Sequence, residues 1–304
     1  MKIFFNRVPR FEPYGGGNQF LIKMVENLEK RGHRVCFHLE QDIDLIFMMD
    51  PRPGDVGYSI DHIEEYKRIF PKTKILHRVN ECDARKSTKE VDILLLRGMN
   101  IADKVVFISG WLQEYFKERG FSRDSSVIYN GCNLENFGIE ENHKISNPVK
   151  IVTHHWSDNY MKGFDIYAEI DRFLIQNPGS FEFTYVGRYW SGYTPQATKI
   201  VSPITGDKLG SELKKHDIYV TASRNEPCGM HHIEGAACGL PVLYHSDTGG
   251  IKELCKNHGL EFNNFDQFLA GLKKIKENYS HFRSMIDLGS LDINLCCSSY
   301  IEII

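Results

Sequence analysis

The sequence predicts an α/β protein of two doubly wound, Rossmann-like domains. Short apolar strands alternate with longer helix-like stretches from end to end, and the pattern restarts after a polar stretch near the middle. Such alternation implies a parallel sheet covered on both faces. The length, 304 residues, suits about two domains.

The first half opens on the strand KIFFN at 2–6, followed by a polar turn ending in Gly15-Gly16-Gly17. Apolar residues at Phe20, Leu21, Met24, Val25 and Leu28 then keep the helical period, and Gly32 stops it. Further strands are expected in RVCFHL, DLIFMM, TKILHRV, DILLL and KVVFIS, and VIYNG at 127–131 closes the half. This gives a first domain over 1–132, a polar linker over 133–148 and a second domain over 149–304. In the second domain strands are expected in KIVTHH, FEFTYVG, TKIVS, DIYVTAS and PVLYHS. Helices are expected in FDIYAEIDRFLIQN, in GSELKKHD and over 229–238.

Hydrophobic residues make up 41% and charged residues 25%, as in soluble globular proteins. A net charge of −3 leaves no broad basic field for nucleic acid or anionic lipid. MKIFFNRVPR runs into a strand without a signal-peptide apolar stretch, and no apolar run approaches the roughly 18 residues of a membrane span. A soluble, cytoplasmic protein without stable membrane insertion is expected. The eight scattered cysteines read as buried thiols. Cys228, His231, His232 and Cys238 share helical spacing but lack a paired C-x-x-C, so zinc is not expected.

Ligands of doubly wound sheets bind beyond the carboxyl ends of the strands. The segment TASRNEPCGMHHIEGAACGLPV leaves such a strand end. A helix starting there offers unpaired backbone N–H groups and a positive dipole end, a seat for a diphosphate. Glu226 lies before the helix and Glu234 lies within it, eight positions on. A carboxylate can accept two vicinal sugar hydroxyls at once. Either glutamate alone reads as an ordinary helix charge; the joint spacing of Glu, Pro, Gly, Glu, Ala, Gly, Pro and Val is far more specific.

Glu226, seven intervening residues, Glu234, and then Gly239, Pro241 and Val242 resemble the signature of the GT-B retaining glycosyltransferases of glycosyltransferase family four. KLGSELKKHDIYVTAS and GGIKEL match in spacing as well, and Gly15-Gly16 with Gly32-His33-Arg34-Val35 resembles the family's amino-terminal glycine loop and helix. The resemblance implies two domains facing across a cleft. It implies Glu226 on hydroxyls of the transferred sugar, Glu234 on the ribose, and the amides of Cys228, Gly229 and Met230 toward the sugar or diphosphate. Gly15, Gly16 and Gly17 would approach the sugar phosphate by backbone, and the base would rest near the 202–206 loop with Ile204. It also implies a nucleotide-diphosphate sugar donor, linked to UDP or GDP among others, with no metal and no separate cofactor. Asp42-Ile43-Asp44 precedes a strand and is not taken as a metal motif.

The sequence departs from the family in two places. Lys162-Gly163 supplies the expected phosphate lysine, whereas the expected arginine is replaced within His154-His155-Trp156-Ser157. His155, Arg188 and Arg224 are candidates for the missing contact. Where the family has a histidine facing the sugar, Asn80 stands. His77 is three residues earlier and reads as a packed histidine on the other sheet face. Glu81 and Asp83 are candidates on the acceptor side. Glu226, Lys162 and Asn80 form the expected catalytic set. The acceptor class stays open between a glycan, a lipid-linked sugar and a small molecule. Two other readings stay open: a sugar-nucleotide epimerase or hydrolase on this architecture, and a non-catalytic nucleotide-sugar binding protein.

Overall fold

The computed structural model describes residues 1–11, 15–54 and 57–304, so part of the expected turn before Gly15 lies outside the described residues. The chain divides into two compact units, 1–129 with 294–304, and 130–293.

The first unit holds β1 (Lys2–Phe5), β2 (Arg34–Cys36), β3 (Leu45–Met48), β4 (Lys74–Val79), β5 (Lys104–Phe107) and β6 (Ser126–Val127). They form one sheet in the order β2-β1-β3-β4-β5-β6, and every pairing is parallel. Ile3, Phe4, Phe5, Ile46 and Phe47 are wholly buried, as a sheet covered on both faces requires. The second unit holds β7 (Val149–His155), β8 (Phe181–Gly187), β9 (Lys199–Val201), β10 (Ile218–Thr221), β11 (Val242–His245) and β12 (Gly259–Phe262). Their order is β12-β11-β10-β7-β8-β9, again parallel throughout. Its core gathers Ile151, Phe164, Tyr167, Phe183, Tyr185, Val220 and Leu243.

Three expectations differ from the structure. DILLL is not a strand: it lies in the helix Val91–Ile101. Val91, Leu95, Gly98 and Met99 are its buried residues, spaced by helical turns, while Ile93 points to solvent at 66% exposure. A five-residue apolar run carries no period of its own, so it cannot separate the two conformations.

The stretch 133–148 is a folded part of the second unit. It contains the helix Leu134–Phe137, capped by Asn133, with Phe137 buried. His143 Nε2 and the Ser146 amide both meet the buried Asp217 carboxylate, at 2.9 and 3.0 Å. The domain division also falls differently at the carboxyl end, because 294–304 pack with the first unit. Tyr300 is wholly buried there, its ring 5.1 Å from Phe20 and 5.5 Å from Phe47. An apolar helix face settles that placement, and sequence order does not reveal it. The strand β12 was not expected; Gly259 lets it run close to β11, since a Cβ there would come within 2.4 Å of the Val242 carbonyl oxygen.

Candidate functional site

In a parallel sheet the carboxyl ends of all strands lie at one end. In the second unit that end gathers the loops after β7, β8, β10 and β11. The loop after β10 is fixed by backbone on two sides. The Arg224 amide donates to the Met161 carbonyl at 2.9 Å, tying it to the turn after β7. Asn225 is left-handed (φ 50°) and donates to Asp247 at 2.9 Å, the Glu226 amide donates to Thr248 at 3.1 Å, and the Gly250 amide donates back to Glu226 at 2.9 Å. Glu226 thereby sits in a parallel bridge with Gly249.

These ties place the Glu226 carboxylate, which is buried, in an ion pair with the ammonium of Lys162, also buried. Lys162 closes a short 3-10 turn, Tyr160–Lys162. Behind it, Gly163 at φ +91° would set a Cβ 2.4 Å from the Ala222 carbonyl oxygen, so only glycine lets the two loops approach. The helix Met230–Ala237 starts beside this pair, and its N-cap, Gly229, offers no side chain to its first amides. A Cβ on Gly229 would lie 3.1 Å from the Glu226 carboxyl carbon. Asn130 Nδ2 donates to the Cys228 carbonyl at 2.6 Å and anchors the turn before the helix.

Glu234, one turn into the helix, accepts a hydrogen bond from His154 Nε2 at 2.7 Å. His155 points inward: its Nε2 meets the Tyr167 hydroxyl at 2.9 Å, and its ring lies 4.7 Å from that of His231. His231 Nε2 in turn meets Thr221 Oγ1 at 3.1 Å. Burial, with the neighbouring Lys162 and histidines adding to it, holds His155 and His231 well below the ordinary imidazole range. Burial pushes His232 down to about 3. These rings are neutral, so they offer hydrogen bonds and no charge. Ser223 Oγ, Thr248 Oγ1 and His155 Nδ1 are buried without a hydrogen-bond partner among the described residues. Such unused capacity marks a place for a ligand or water.

The other expected residues of this unit fall at the same sheet end. Arg188 is exposed after β8, its amide bonded to the His155 carbonyl at 3.1 Å and its guanidinium 4.1 Å over the Trp156 ring. Among the described residues it pairs with no carboxylate. Arg224 instead forms a forked pair with Asp165, at 2.9 and 2.6 Å, which takes up its charge. Burial alone would raise the Asp165 carboxyl, but Arg224 outweighs it and holds the carboxyl below its usual range. Ile204 is half-buried between β9 and the helix Gly206–Leu213; Cys228 and Gly229 are buried, and Met230 is half-buried.

In the first unit, Gly15 is the N-cap of the helix Gly16–Lys30 and makes no side-chain cap. A Cβ on Gly17 would meet Asn80 Nδ2 at 3.5 Å, an ordinary contact, so the glycine segment and Asn80 adjoin. His77 is packed, wholly buried against Gly98. Asp83 is engaged structurally: its carboxylate accepts the Val91 and Asp92 amides, at 3.1 and 3.0 Å, at the start of a helix. Glu81 pairs with Arg85 and Lys86, each at 3.1 Å.

Sequence reasoning missed His154 as a site residue, along with Asp165, Asn130 and the 246–250 loop. The doublet Gly249-Gly250 just after a strand was the available signal for the loop. Asp165, two residues beyond Gly163, had no signal of its own.

Residues 195–289, which span Glu226 and the helix that carries Glu234, match the family model for Glycosyl transferases group 1. This part of the chain is a glycosyltransferase group 1 domain. Solved structures share the fold of the whole chain, the GT-B arrangement of two parallel-sheet domains. HepE of Anabaena, in complex with UDP-glucose, is 18% identical, with 100% of this chain and 99% of that chain covered and a TM-score of 0.74. Sucrose-phosphate synthase from Thermosynechococcus elongatus is 15% identical, with 99% and 98% covered and a TM-score of 0.71. The lipopolysaccharide outer core galactosyltransferase WaaB, in its apo form, is 13% identical, with 99% and 98% covered and a TM-score of 0.69. No curated protein matches the chain. Among the described residues of the group 1 domain and the rest of the chain, no three His, Cys, Asp or Glu side chains gather to hold a metal ion, and no helix is long and apolar enough to cross a membrane.

Proposed function

We propose that this glycosyltransferase moves a hexose from a UDP- or GDP-linked donor to a hydroxyl acceptor with retention of anomeric configuration, in glycan or glycoconjugate synthesis, without a metal. The observation that carries the proposal is the buried Glu226–Lys162 pair, set against the bare start of the helix Met230–Ala237 inside the group 1 domain. The UDP-glucose bound to HepE favours a UDP-sugar here.

The role of each group follows from its charge. Glu226 is an acceptor and takes hydroxyls of the transferred sugar, and Lys162 is then released toward the diphosphate. The amides of Cys228, Gly229 and Met230 and the helix dipole add to the stabilisation of the leaving group, preorganised before the bond breaks. Arg188, which pairs with no carboxylate among the described residues, is the candidate for the second phosphate cation, and His155 contributes a neutral ring at the same sheet end. Arg224 acts through its pair with Asp165 to fix the loop that carries Glu226. Glu234 takes the ribose, and the backbone around Ile204 reads the base. In the first unit, Gly15, Gly16 and Gly17 approach the sugar phosphate by backbone and Asn80 bonds a sugar hydroxyl. In the reaction the bond from the anomeric carbon to the diphosphate oxygen breaks. The acceptor oxygen bonds to that carbon on the same face, and its proton passes to the departing phosphate oxygen.

A melting-temperature screen with UDP-, GDP-, TDP- and ADP-sugars identifies the donor, because a ligand bound to the folded state raises its stability. Transfer with the selected donor is then followed by NMR of the product anomer. Glu226→Ala is expected to lower turnover by about a hundredfold or more, the order seen when a transition-state hydrogen bond is lost. Turnover near wild type would sink the assignment, and an inverted product would sink retention.

A further inference from the structure

Glu234 is drawn into a chain of side chains that starts on the sheet. Its carboxylate is 14% exposed and meets His154 Nε2 at 2.7 Å. An ionised carboxylate can only accept, so Nε2 carries the proton. The other ring nitrogen, Nδ1, faces the Tyr219 hydroxyl at 3.2 Å. The same hydroxyl accepts from the His154 amide at 3.1 Å, and its one proton is shared between Nδ1 and the His154 carbonyl oxygen, to which it donates at 3.3 Å. Tyr219 is wholly buried in β10, and burial holds its phenol well above the ordinary range, so it keeps its proton. A protonated phenol opposite Nδ1 fits the tautomer with hydrogen on Nε2. The ring packs edge-on against Tyr219 at 5.6 Å and against His231 at 6.3 Å, so it has little room to turn.

Resting on the donor reading above, we propose that His154 is a positioning residue for the nucleotide: locked by Tyr219, it holds one oxygen of Glu234 and aims the carboxylate at the ribose hydroxyls. Each carboxylate oxygen accepts more than one hydrogen bond, so the His154 bond leaves capacity for the 2′- and 3′-hydroxyls. The chain Tyr219–His154–Glu234 runs from the core of the sheet to the helix surface. It makes ribose recognition depend on β7, at the point where the sequence departs from its family.

The test compares UDP with 2′-deoxy-UDP, and GDP with 2′-deoxy-GDP, by calorimetry on the full chain. Wild type is expected to prefer the ribose form of the nucleotide it binds by about tenfold or more, the effect of a hydrogen bond to a charged group. His154→Phe keeps a ring of similar size and removes the donor. It is expected to weaken the ribose form by about tenfold and leave the deoxy form within about twofold, so that the preference collapses. His154→Gln, whose amide can still donate, is expected to retain most of the preference. Tyr219→Phe is expected to fall between the two, and it carries the test should His154→Phe fail to fold. A merely structural role would weaken both nucleotides alike in every variant. That result, or an undiminished ribose preference in His154→Phe, overturns the proposal and leaves the donor reading intact. Wild type that binds nucleotide but ignores the 2′-hydroxyl likewise overturns the proposal alone. Wild type that binds none of the four nucleotides overturns both.

Discussion

Gly163 in the second unit and Gly17 in the first both stand at the start of a helix, and the chain needs them for different reasons. Gly163 has a positive φ and no space: a Cβ there would come within 2.4 Å of the Ala222 carbonyl oxygen. Gly17 has ordinary geometry, and among the described residues a Cβ there would make only a 3.5 Å contact, with Asn80. The first glycine serves the fold, because it lets the Lys162 turn close onto the loop that carries Glu226. The second meets no close neighbour among the described residues, and its lack of a side chain is explained by the ligand proposed to lie there. The same contrast separates the surroundings. Side chains at the second unit's sheet end are tied in pairs, Lys162 with Glu226, Arg224 with Asp165 and His154 with Glu234. The first unit's glycine segment presents backbone.

The largest expected effect comes from forcing a side chain into the crowded position. Gly163→Ala should lower the stability of the second unit by about 3 kcal/mol, from left-handed backbone strain and the clash together, as read by urea denaturation. A loss below about 1 kcal/mol would mean that the loops can part, and the contrast would fail. Gly17→Ala should reverse the pattern. Alanine in a helix is favoured over glycine by roughly 0.5–1 kcal/mol, so stability should hold or rise. Turnover should fall about tenfold or more as the added methyl meets the sugar phosphate. Unchanged turnover would remove the ligand from Gly17.

Two titrations extend the comparison to charge. His77, in the first unit, is wholly buried, neither ring nitrogen has a hydrogen-bond partner among the described residues, and burial pushes it down to about 3. The unfolded chain takes up that proton from about pH 6.5 downward, so stability falls with acid until the folded group also titrates near 3. His77→Leu should therefore lose about 1 kcal/mol less than wild type between pH 6.5 and 5.5 in paired denaturation curves. Equal slopes would show that the ring reaches solvent. Asp165, in the second unit, is held below its usual range by Arg224 despite its burial. Its contribution is present above its unfolded value of about 3.9 and is lost as pH falls through the lower folded value. The pair is partly solvated, with 35% of the Asp165 side chain exposed, so Asp165→Asn should cost less than about 1 kcal/mol at pH 7. A larger loss would make this pair a structural anchor on a par with Gly163.

These regions also differed in how far they could be read beforehand. The alternation of strands was plain because buried parallel strands are almost wholly apolar, as in LIFM of β3. DILLL misled for the same reason, since a short run of that kind has no period. The Glu226 to Glu234 spacing stood out because one loop and one helix hold both residues. The partners did not, because they come from elsewhere: His154 from β7, Asp165 from the helix after Gly163, and Thr248 from the loop after β11. A contact between distant segments leaves no spacing in the sequence. Arg224 reads as a phosphate candidate from its place after a strand; its pair with Asp165, 59 positions away, gives it a partner within the protein.

The chain passes between its units at 129–130 and again at 293–294, and the two passages run side by side. Cys132 accepts from the Ile293 amide at 3.0 Å and donates to Leu291 at 2.7 Å, and Gly131 leaves no room for a side chain against Asp292. The second unit is thus an insertion, entered and left through one doorway. On the ribosome the first unit is begun before the second and completed after it. Until the final helix turn emerges, the site on Phe20 and Phe47 that Tyr300 will cover stays open to water. A chain cut before residue 294 keeps every residue of the group 1 domain and still loses the closing piece of its first unit, whereas joining 129 directly to 294 would bring that unit's two segments together without the insertion.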